Sequence, residues 1–223
     1  MDSKNVLIAG ATGMVGRCVL DYALANDRVA TVTTIGRRPT GVTDPKLREV
    51  THEDFTDFSG SVDGLDGQDV ALFCLGAYTG ALTDEDFRRV TVDMAVAFGA
   101  AVRAASPEVV MCLLSGEGAD QTESSRIAFA RYKGMAENAL IAMDFVRVHL
   151  FRPGYIYPTT PRMEPSFAYR AFRSLYPLMR RIYPNIGISS EDLGRVMLDV
   201  GLEGTPDHAS PVLRNRDIRR LAR

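Results

Sequence analysis

Three glycines at fixed spacing, Gly10, Gly13 and Gly16, follow the first apolar run of the chain. The run, residues 6–9, predicts a buried strand, and a helical pattern begins directly after the glycines. In such a place one glycine permits a tight turn, a second lets backbone N–H groups approach a pyrophosphate, and a third lets the helix pack on the strand. The helix N-terminus adds unpaired N–H groups and the positive end of a dipole. The predicted dinucleotide-binding loop consists of Gly10, Ala11, Thr12, Gly13, Met14, Val15 and Gly16.

The end of the second predicted strand indicates which dinucleotide is bound. Proteins that bind NAD place Asp or Glu there, where it accepts a hydrogen bond from the ribose 2′-hydroxyl. Here Gly36 is followed by Arg37 and Arg38, without a carboxylate at that place. Guanidinium groups bind a 2′-phosphate through bidentate charge-assisted hydrogen bonds, and Arg17 at the start of the first helix adds a further cation. We therefore predict NADP(H) in preference to NAD(H); the alternative is that these arginines are a solvated surface pair.

Short apolar runs alternate with longer helical patterns over most of the chain. The apolar runs occupy residues 6–9, 30–35, 47–52, 70–75, 109–114 and 146–151, and the helical patterns occupy residues 15–25, 85–105, 125–143 and 190–202. This alternation is typical of βαβ units. We predict an α/β, doubly wound Rossmann fold with a mostly parallel sheet of about seven strands and helices on both faces, in one domain spanning residues 1–223.

Residues 153–184 break this alternation, because six prolines are interleaved there with seven aromatic residues. Proline interrupts regular elements, so the segment predicts an excursion of loops and short helices from the sheet. A long excursion in a compact domain is commonly either a substrate cap or a contact for packing and assembly. Both interpretations stay open, and a homodimer is compatible with the second.

Composition and charge exclude several classes of protein. A formal net charge of −2 argues against binding nucleic acid through bulk electrostatics. No apolar run approaches the roughly 18 residues that a membrane span needs. The three cysteines indicate a reducing compartment, the three histidines show no metal-ligand spacing, and the N-terminus leaves no room for a signal peptide. We expect a cytoplasmic protein with a small-molecule substrate of unknown identity and without a metal, nucleic-acid or membrane partner.

Further motifs accompany the glycine loop and the Gly-Arg-Arg-Pro turn at residues 36–39. They are Phe-Cys-Leu-Gly at 73–76, Leu-Leu-Ser-Gly-Glu-Gly-Ala-Asp at 113–120, Tyr-Lys-Gly-Met-Ala-Glu at 132–137 and Phe-Arg-Pro-Gly at 151–154. With them the chain resembles, over nearly its whole length, the atypical short-chain dehydrogenase/reductase superfamily. It is most similar to the branch of the Tat-interacting oxidoreductase and the nucleoside-diphosphate-sugar-epimerase-like proteins.

The resemblance implies an oxidoreductase of small carbonyl compounds or alcohols, and it implies roles for residues beyond the loop. Ser115 would contact a substrate carbonyl or hydroxyl, and Lys133 would hydrogen-bond the nicotinamide ribose. The remaining cofactor contacts that it implies are Asp54 and Phe55 at the adenine, Leu75, Gly76 and Ala77 beside the nicotinamide-side ribose, and Pro153, Gly154 and Tyr155 near the nicotinamide.

The chain departs from that superfamily at one position. There the lysine follows a tyrosine in a Tyr-x-x-x-Lys pattern, and the tyrosine is the general acid and base. Four residues before Lys133 stands Phe129, which has no ionisable proton, and Tyr132 lies about 100° around the helix from the lysine. Three functions stay open: an NADP(H)-dependent oxidoreductase using Ser115, Lys133 and an unidentified or water-borne proton source; a non-catalytic NADP(H)-sensing protein; and, on resemblance alone, a sugar-nucleotide epimerase.

Overall fold

Seven parallel strands form one sheet in the computed structural model, which describes residues 3–60, 63–77, 82–159, 184–205 and 208–223. The strands of this sheet are β1 (Lys4–Ala9), β2 (Val29–Gly36), β3 (Leu47–Thr51), β4 (Val70–Phe73), β5 (Val110–Leu114), β6 (Arg147–Arg152) and β9 (Val212–Arg214). Their order is β3-β2-β1-β4-β5-β6-β9, and every pairing is parallel. The predicted doubly wound α/β fold with about seven strands is confirmed.

Helices cover both faces of this sheet. They are α1 (Met14–Leu24), α2 (Asp84–Arg88), α3 (Met94–Ala105), α4 (Ala128–Ile141), α5 (Ser190–Glu203) and α6 (Asn215–Leu221). The single helix predicted over residues 85–105 is interrupted by a π-helical turn, Arg89–Asp93. Helix α4 begins later than predicted because the Asp120 carboxylate accepts hydrogen bonds from the backbone N–H groups of Thr122 (3.0 Å) and Ser125 (2.8 Å), which fixes a turn there.

Alternate residues of the central strands supply two separate apolar cores. On one face, Val6 and Ile8 of β1 pack in a cluster with residues of α1 and α5. On the other face, Leu7 and Ala9 pack in a cluster with residues of α3 and α4. Successive side chains of a strand point to opposite faces, so a strand covered by helices on both sides reads as a continuous apolar run. This explains why the sequence signals for β1, β4 and β5 are short and wholly apolar.

The strand order reverses between β1 and β4, since β2 and β3 lie on one side of β1 and the later strands on the other. In open α/β sheets, ligands bind outside the carboxyl ends of the strands at such a reversal. The loops that follow β1, β4, β5 and β6 all begin at this edge of the sheet. They carry most of the predicted site residues. None of the helices in the described part of the chain has the length and apolar character needed to cross a bilayer.

The segment between β6 and α5 is described only at its two ends. Its flanks form a separate pair of parallel strands, β7 (Tyr155–Tyr157) and β8 (Gly187–Ser189). Residues 160–183, most of the predicted excursion, lie outside the described residues, so the choice between a cap and an assembly contact stays open. After β8, the Ser189 hydroxyl accepts a hydrogen bond from the backbone N–H of Asp192 (3.0 Å) and caps α5.

Candidate functional site

The glycine loop has the geometry that its sequence predicts. Gly10 has a φ of +88°, in the left-handed region, and a Cβ there would lie 3.0 Å from the backbone of Cys74 and Leu75 at the end of β4. A Cβ on Gly16 would overlap the carbonyl oxygen of Gly10, so only glycine lets α1 approach the loop this closely. Helix α1 begins after Gly13 without a side-chain cap and without an acidic residue in its first turn. Its N-terminal N–H groups therefore point at the loop free to bind an anion.

The predicted cations beside the loop differ in their surroundings. Arg37 and Arg38 are exposed immediately after β2, and neither pairs with a carboxylate among the described residues. Arg17 instead forms an exposed ion pair with Asp21, one turn along α1, with 2.8 Å between Nε and Oδ1. Two of the three guanidinium groups are therefore unpaired at the carboxyl edge of the sheet.

The predicted adenine residues lie together on the loop after β3. Hydrogen bonds from Thr56, at 2.6 Å from its hydroxyl and 2.9 Å from its N–H, lower the pKa of the Asp54 carboxyl, and an ion pair with Arg89 at 3.3 Å adds to this. The Phe55 side chain is buried in the core and packs edge-on against Phe58. Phe55 is therefore buried as a whole residue, whereas Asp54 is exposed.

The segment after β4 comes close to α4. Ala77 packs against an apolar cluster formed by Phe87, Val92 and Tyr132, and Phe129 packs against the same cluster. Leu75 is half-buried and Gly76 is exposed. The structure therefore brings the segment predicted to lie beside the nicotinamide ribose next to the position where the superfamily has its tyrosine.

The Ser115 hydroxyl points into a buried ion pair. Its Oγ donates a hydrogen bond to Glu137 Oε1 at 2.5 Å, and the same carboxylate accepts bonds from Arg152 Nε (2.9 Å) and Nη2. The three side chains are all buried, Glu137 completely. Hydrogen bonding to Glu137 raises the pKa of Arg152. The hydroxyl hydrogen that was expected to meet a substrate is therefore engaged by a carboxylate from α4.

Sequence reasoning missed Glu137 and Arg152. A signal for each was present, because Arg152 directly ends an apolar run and Glu137 falls one helical turn after Lys133, on the same face of the helix. Charged residues at positions that the pattern predicts as buried are expected to be paired. Which charge meets which depends on α4 packing beside β6, and the local pattern does not give that contact.

Lys133 is buried behind the end of β5. Its ammonium donates a hydrogen bond to the carbonyl oxygen of Leu114 at 3.1 Å. Burial lowers the pKa of Lys133 to about 8, although the negative charge of Glu137 opposes the shift. An amine whose pKa lies near the working pH can both donate and accept a proton. The pKa of Lys133 is close enough to neutrality for this.

The two aromatic residues near Lys133 on α4 both pack against Phe87 of α2. The Phe129 ring is stacked on Phe87, with 6.4 Å between centroids and 18° between planes. The Tyr132 hydroxyl donates a hydrogen bond to the Asp84 carboxylate of α2 at 2.6 Å. Tyr132 therefore packs on α2, while the Lys133 ammonium lies at β5.

The turn after β6 is held by a residue near the end of the chain. The N–H of Gly154 donates to Asn215 Oδ1 at 3.0 Å, and the buried Asn215 amide donates to the Asn185 carbonyl at 2.8 Å. A Cβ on Gly154 would lie 2.7 Å from the carbonyl oxygen of Ile186. Pro153, Gly154 and Tyr155 thus form a tight junction between β6, β7 and the start of α6. Sequence reasoning missed Asn215, because an asparagine before a short polar helix carries no distinctive signal.

Comparison with known proteins identifies the relatives of this chain. No protein-family model matches it. The fmp52 protein of Aspergillus niger is 30% identical over 188 residues, which are 82% of this chain and 78% of that protein. The chain belongs to the fmp52 family. An fmp52 protein of Emericella nidulans is 27% identical over 207 residues (89% and 88%), and protein HTATIP2 of Rattus norvegicus is 30% identical over 158 residues (70% and 64%).

Solved structures show the same fold. A short-chain dehydrogenase/reductase from Saccharomyces cerevisiae superposes with a TM-score of 0.70 at 16% identity and covers 99% of this chain and 98% of its own. The Bordetella bronchiseptica enzyme WbmG, solved in complex with NAD, gives a TM-score of 0.65 at 13% identity and covers 96% and 72%. These superpositions show the fold of the short-chain dehydrogenases/reductases, and the similarity to HTATIP2 agrees with the resemblance to the Tat-interacting branch that the sequence motifs indicate.

The expectation of a cytoplasmic protein is wrong by the same comparison. The fmp52 relatives from Aspergillus niger, Emericella nidulans, Aspergillus clavatus and Aspergillus fumigatus are named as mitochondrial proteins, which contradicts that expectation. One ground for the expectation was the three cysteines, all of which are free. Free thiols argue against oxidising compartments only, so they do not separate the cytosol from the interior of an organelle.

Proposed function

We propose that this fmp52-family chain binds NADP(H) in preference to NAD(H) and is an oxidoreductase of a small carbonyl compound or alcohol. The observation that carries the proposal is the loop of residues 10–16, where Gly10 turns the chain against β4 and the N-terminus of α1 is left without a cap. That loop fits the pyrophosphate, and the exposed Arg37 and Arg38 fit a 2′-phosphate. When bound, the nucleotide would supply or accept the hydride, and the chain would supply the binding groups and the proton.

The preference for NADP(H) is tested by removing the two arginines together. We expect Arg37→Ala/Arg38→Ala to weaken NADPH binding at least tenfold, which is about 1.4 kcal/mol, and to leave NADH binding unchanged. The reason is that only NADPH carries the phosphate that the guanidinium groups bind. Isothermal titration calorimetry on cofactor-free protein measures both affinities.

The matched control removes two exposed arginines elsewhere, Arg216 and Arg220 of α6. Arg216→Ala/Arg220→Ala changes the net charge by the same amount. Because salt screens distant charges, this variant is expected to keep its affinities for NADPH and NADH within about twofold of the unaltered protein. Equal affinity of the unaltered protein for NADPH and NADH would refute the preference. Absence of binding by either nucleotide would refute the proposed function as a whole.

Lys133 is our candidate for the proton source, because Phe129 stands where the superfamily has its acid. The ammonium lies at the carboxyl end of β5, on the Leu114 carbonyl, and its pKa is about 8. The protonated form donates, so carbonyl reduction is expected to be independent of pH below about 8 and to fall about tenfold per pH unit above it. Steady-state oxidation of NADPH between about pH 6 and pH 10 measures this.

The conservative variant Lys133→Arg separates proton supply from charge. A guanidinium stays protonated throughout the measured pH range. The Lys133→Arg variant should therefore be slower than wild type at every pH, and its rate should show no decline above about pH 8. A wild-type rate with no decline above pH 8 would assign the proton to water.

A second function, NADP(H) binding without catalysis, is favoured by Phe129 alone. If the chain binds NADPH at micromolar concentration but oxidises none across a broad panel of aldehydes and ketones, it is a nucleotide-sensing protein. Turnover that is proportional to protein concentration and absent from a Gly13→Glu loop variant would exclude the sensing function.

A further inference from the structure

Two neighbouring residues after β5 face entirely different surroundings. Ser115 donates its hydroxyl hydrogen to Glu137, inside the buried pair with Arg152. The side-chain direction of Gly116 leads to Phe129 instead: a Cβ on Gly116 would lie 2.6 Å from Cζ of the ring, 3.4 Å from Cε1 and 3.6 Å from Cε2. The tip of the ring therefore lies directly in the path of any side chain at position 116.

The atom Cζ is where a tyrosine would carry its hydroxyl. A hydroxyl on residue 129 would therefore meet the side chain of residue 116, and not that of residue 115. We infer that positions 116 and 129 are the two that face each other on the substrate side of the site, and that in this chain both lack a hydroxyl. Ser115 is then a positioning residue, which fastens the end of β5 to the ion pair of α4 and β6. The inference depends on the proposed function only for placing the substrate at this edge.

The backbone does not explain why residue 116 is glycine. Gly116 is not among the glycines with positive φ, so its conformation is open to any residue. The constraint comes from Phe129, because carbon atoms in contact lie about 3.5–4.0 Å apart and a Cβ would lie at 2.6 Å. Stacking on Phe87 also contributes to holding the ring in place. Gly116 and Phe129 are therefore mutually dependent, and a side chain at 116 fits only when the ring moves or is replaced.

A double-mutant cycle tests this dependence without any assay of activity. In the Phe129 background, Gly116→Ala is expected to lower the melting temperature by about 3 °C or more, and in the Phe129→Leu background by less than about 1 °C. Ser115→Ala is the comparison, expected to cost the same in both backgrounds because its partner is Glu137. Equal costs of Gly116→Ala in both backgrounds, or a cost of Ser115→Ala that depends on residue 129, would overturn the inference.

Restoring both hydroxyls tests the assignment to the site. The ring of residue 129 has to shift to admit a serine at 116, so the melting temperature of Gly116→Ser/Phe129→Tyr is expected to fall as that of Gly116→Ala does. With the ring shifted, this double variant is expected to reduce aldehydes and ketones at least about tenfold faster than wild type, whereas each single variant gains less than about threefold. Calorimetry should show every variant binding NADPH within about threefold of wild type. A full gain from Phe129→Tyr alone, or no gain from the pair in a protein that binds NADPH, would overturn the assignment. If the wild-type protein does not bind NADPH, the proposed function is refuted. The melting-temperature cycle would still test the contact between residues 116 and 129.

Discussion

Replacing Glu137 with alanine is expected to lower the free energy of unfolding by about 3–5 kcal/mol. The substitution leaves the guanidinium of Arg152 buried without its counter-charge and the Ser115 hydroxyl without an acceptor. Desolvation of an unpaired charge is costly because no water replaces the lost partner. Unfolding in urea, followed by circular dichroism, gives the free energy of unfolding. An unchanged dependence of that free energy on urea concentration shows that variant and wild type expose the same amount of surface on unfolding.

Two further variants distinguish the lost charge pair from lost packing. Glu137→Met/Arg152→Met replaces the buried pair by apolar side chains of similar volume and is expected to recover most of the stability, since such replacements are commonly neutral or stabilising. Asp21→Ala breaks the exposed pair with Arg17 and should cost less than about 0.5 kcal/mol. If Glu137→Ala costs no more than Asp21→Ala, the carboxylate is not locked in a buried pair, and the positioning role of Ser115 fails with it.

The sheet was predictable because its signals are local. The six runs indicate six strands within one or two residues of their observed bounds. Three of these strands, β1, β4 and β5, are buried on both faces over most of their length and therefore need no partner to be recognised. The seventh strand, β9, has only three residues, and its pairing with Leu150, Phe151 and Arg152 is what defines it. The same holds for β7 and β8, whose three-residue runs become strands only by pairing with each other. Elements fixed by tertiary contact leave no periodic pattern to read.

The sequence was enough to predict the glycine loop of the candidate site, but not which residue after β5 faces residue 129. The glycines at 10, 13 and 16 are required by local turns and by close backbone approach, so their spacing is enough to predict the loop. Ser115 and Gly116 are adjacent in sequence, and which of them faces α4 residue 129 depends on how the loop leaves β5. A motif places a serine near the site but does not orient it. The preference for NADP(H), inferred from Arg37 and Arg38, stays a prediction.

His149 makes the stability of the fold depend on pH. Its ring is buried in β6, beside Cys112 in the sheet register, and neither ring nitrogen has a hydrogen-bond partner among the described residues. Burial first, and then the positive charges of Arg147 and His208, lower the pKa of His149 to about 4. His208 in turn lies 3.6 Å from the Asp217 carboxylate. The folded protein therefore holds this imidazole neutral over a pH range in which the unfolded chain protonates it.

The sign of the effect follows from proton uptake. Above pH 6.5, the ordinary value, neither state binds the proton and stability is unaffected. Between pH 6.5 and about pH 4 only the unfolded state binds the proton, so the free energy of unfolding decreases as the pH is lowered. Below about pH 4 both states bind it, and the loss levels off. A displacement of this size corresponds to about 3 kcal/mol. We expect His149→Leu to remove that part of the decline, measured as the difference in unfolding free energy between variant and wild type at pH 7.5 and at pH 4.5.

The difference between variant and wild type matters because carboxylates also titrate below pH 5, and their contribution cancels in the comparison. His52→Leu is the matched control, since its ring nitrogen is already hydrogen-bonded, to the carbonyls of Asp54 (2.9 Å) and Asp57 (3.0 Å) outside the sheet. It should leave the acid-induced decline of wild type intact. If His149→Leu loses stability between pH 7.5 and 4.5 as steeply as wild type, the His149 imidazole is not held neutral by the fold, and a partner outside the described residues binds its ring nitrogens.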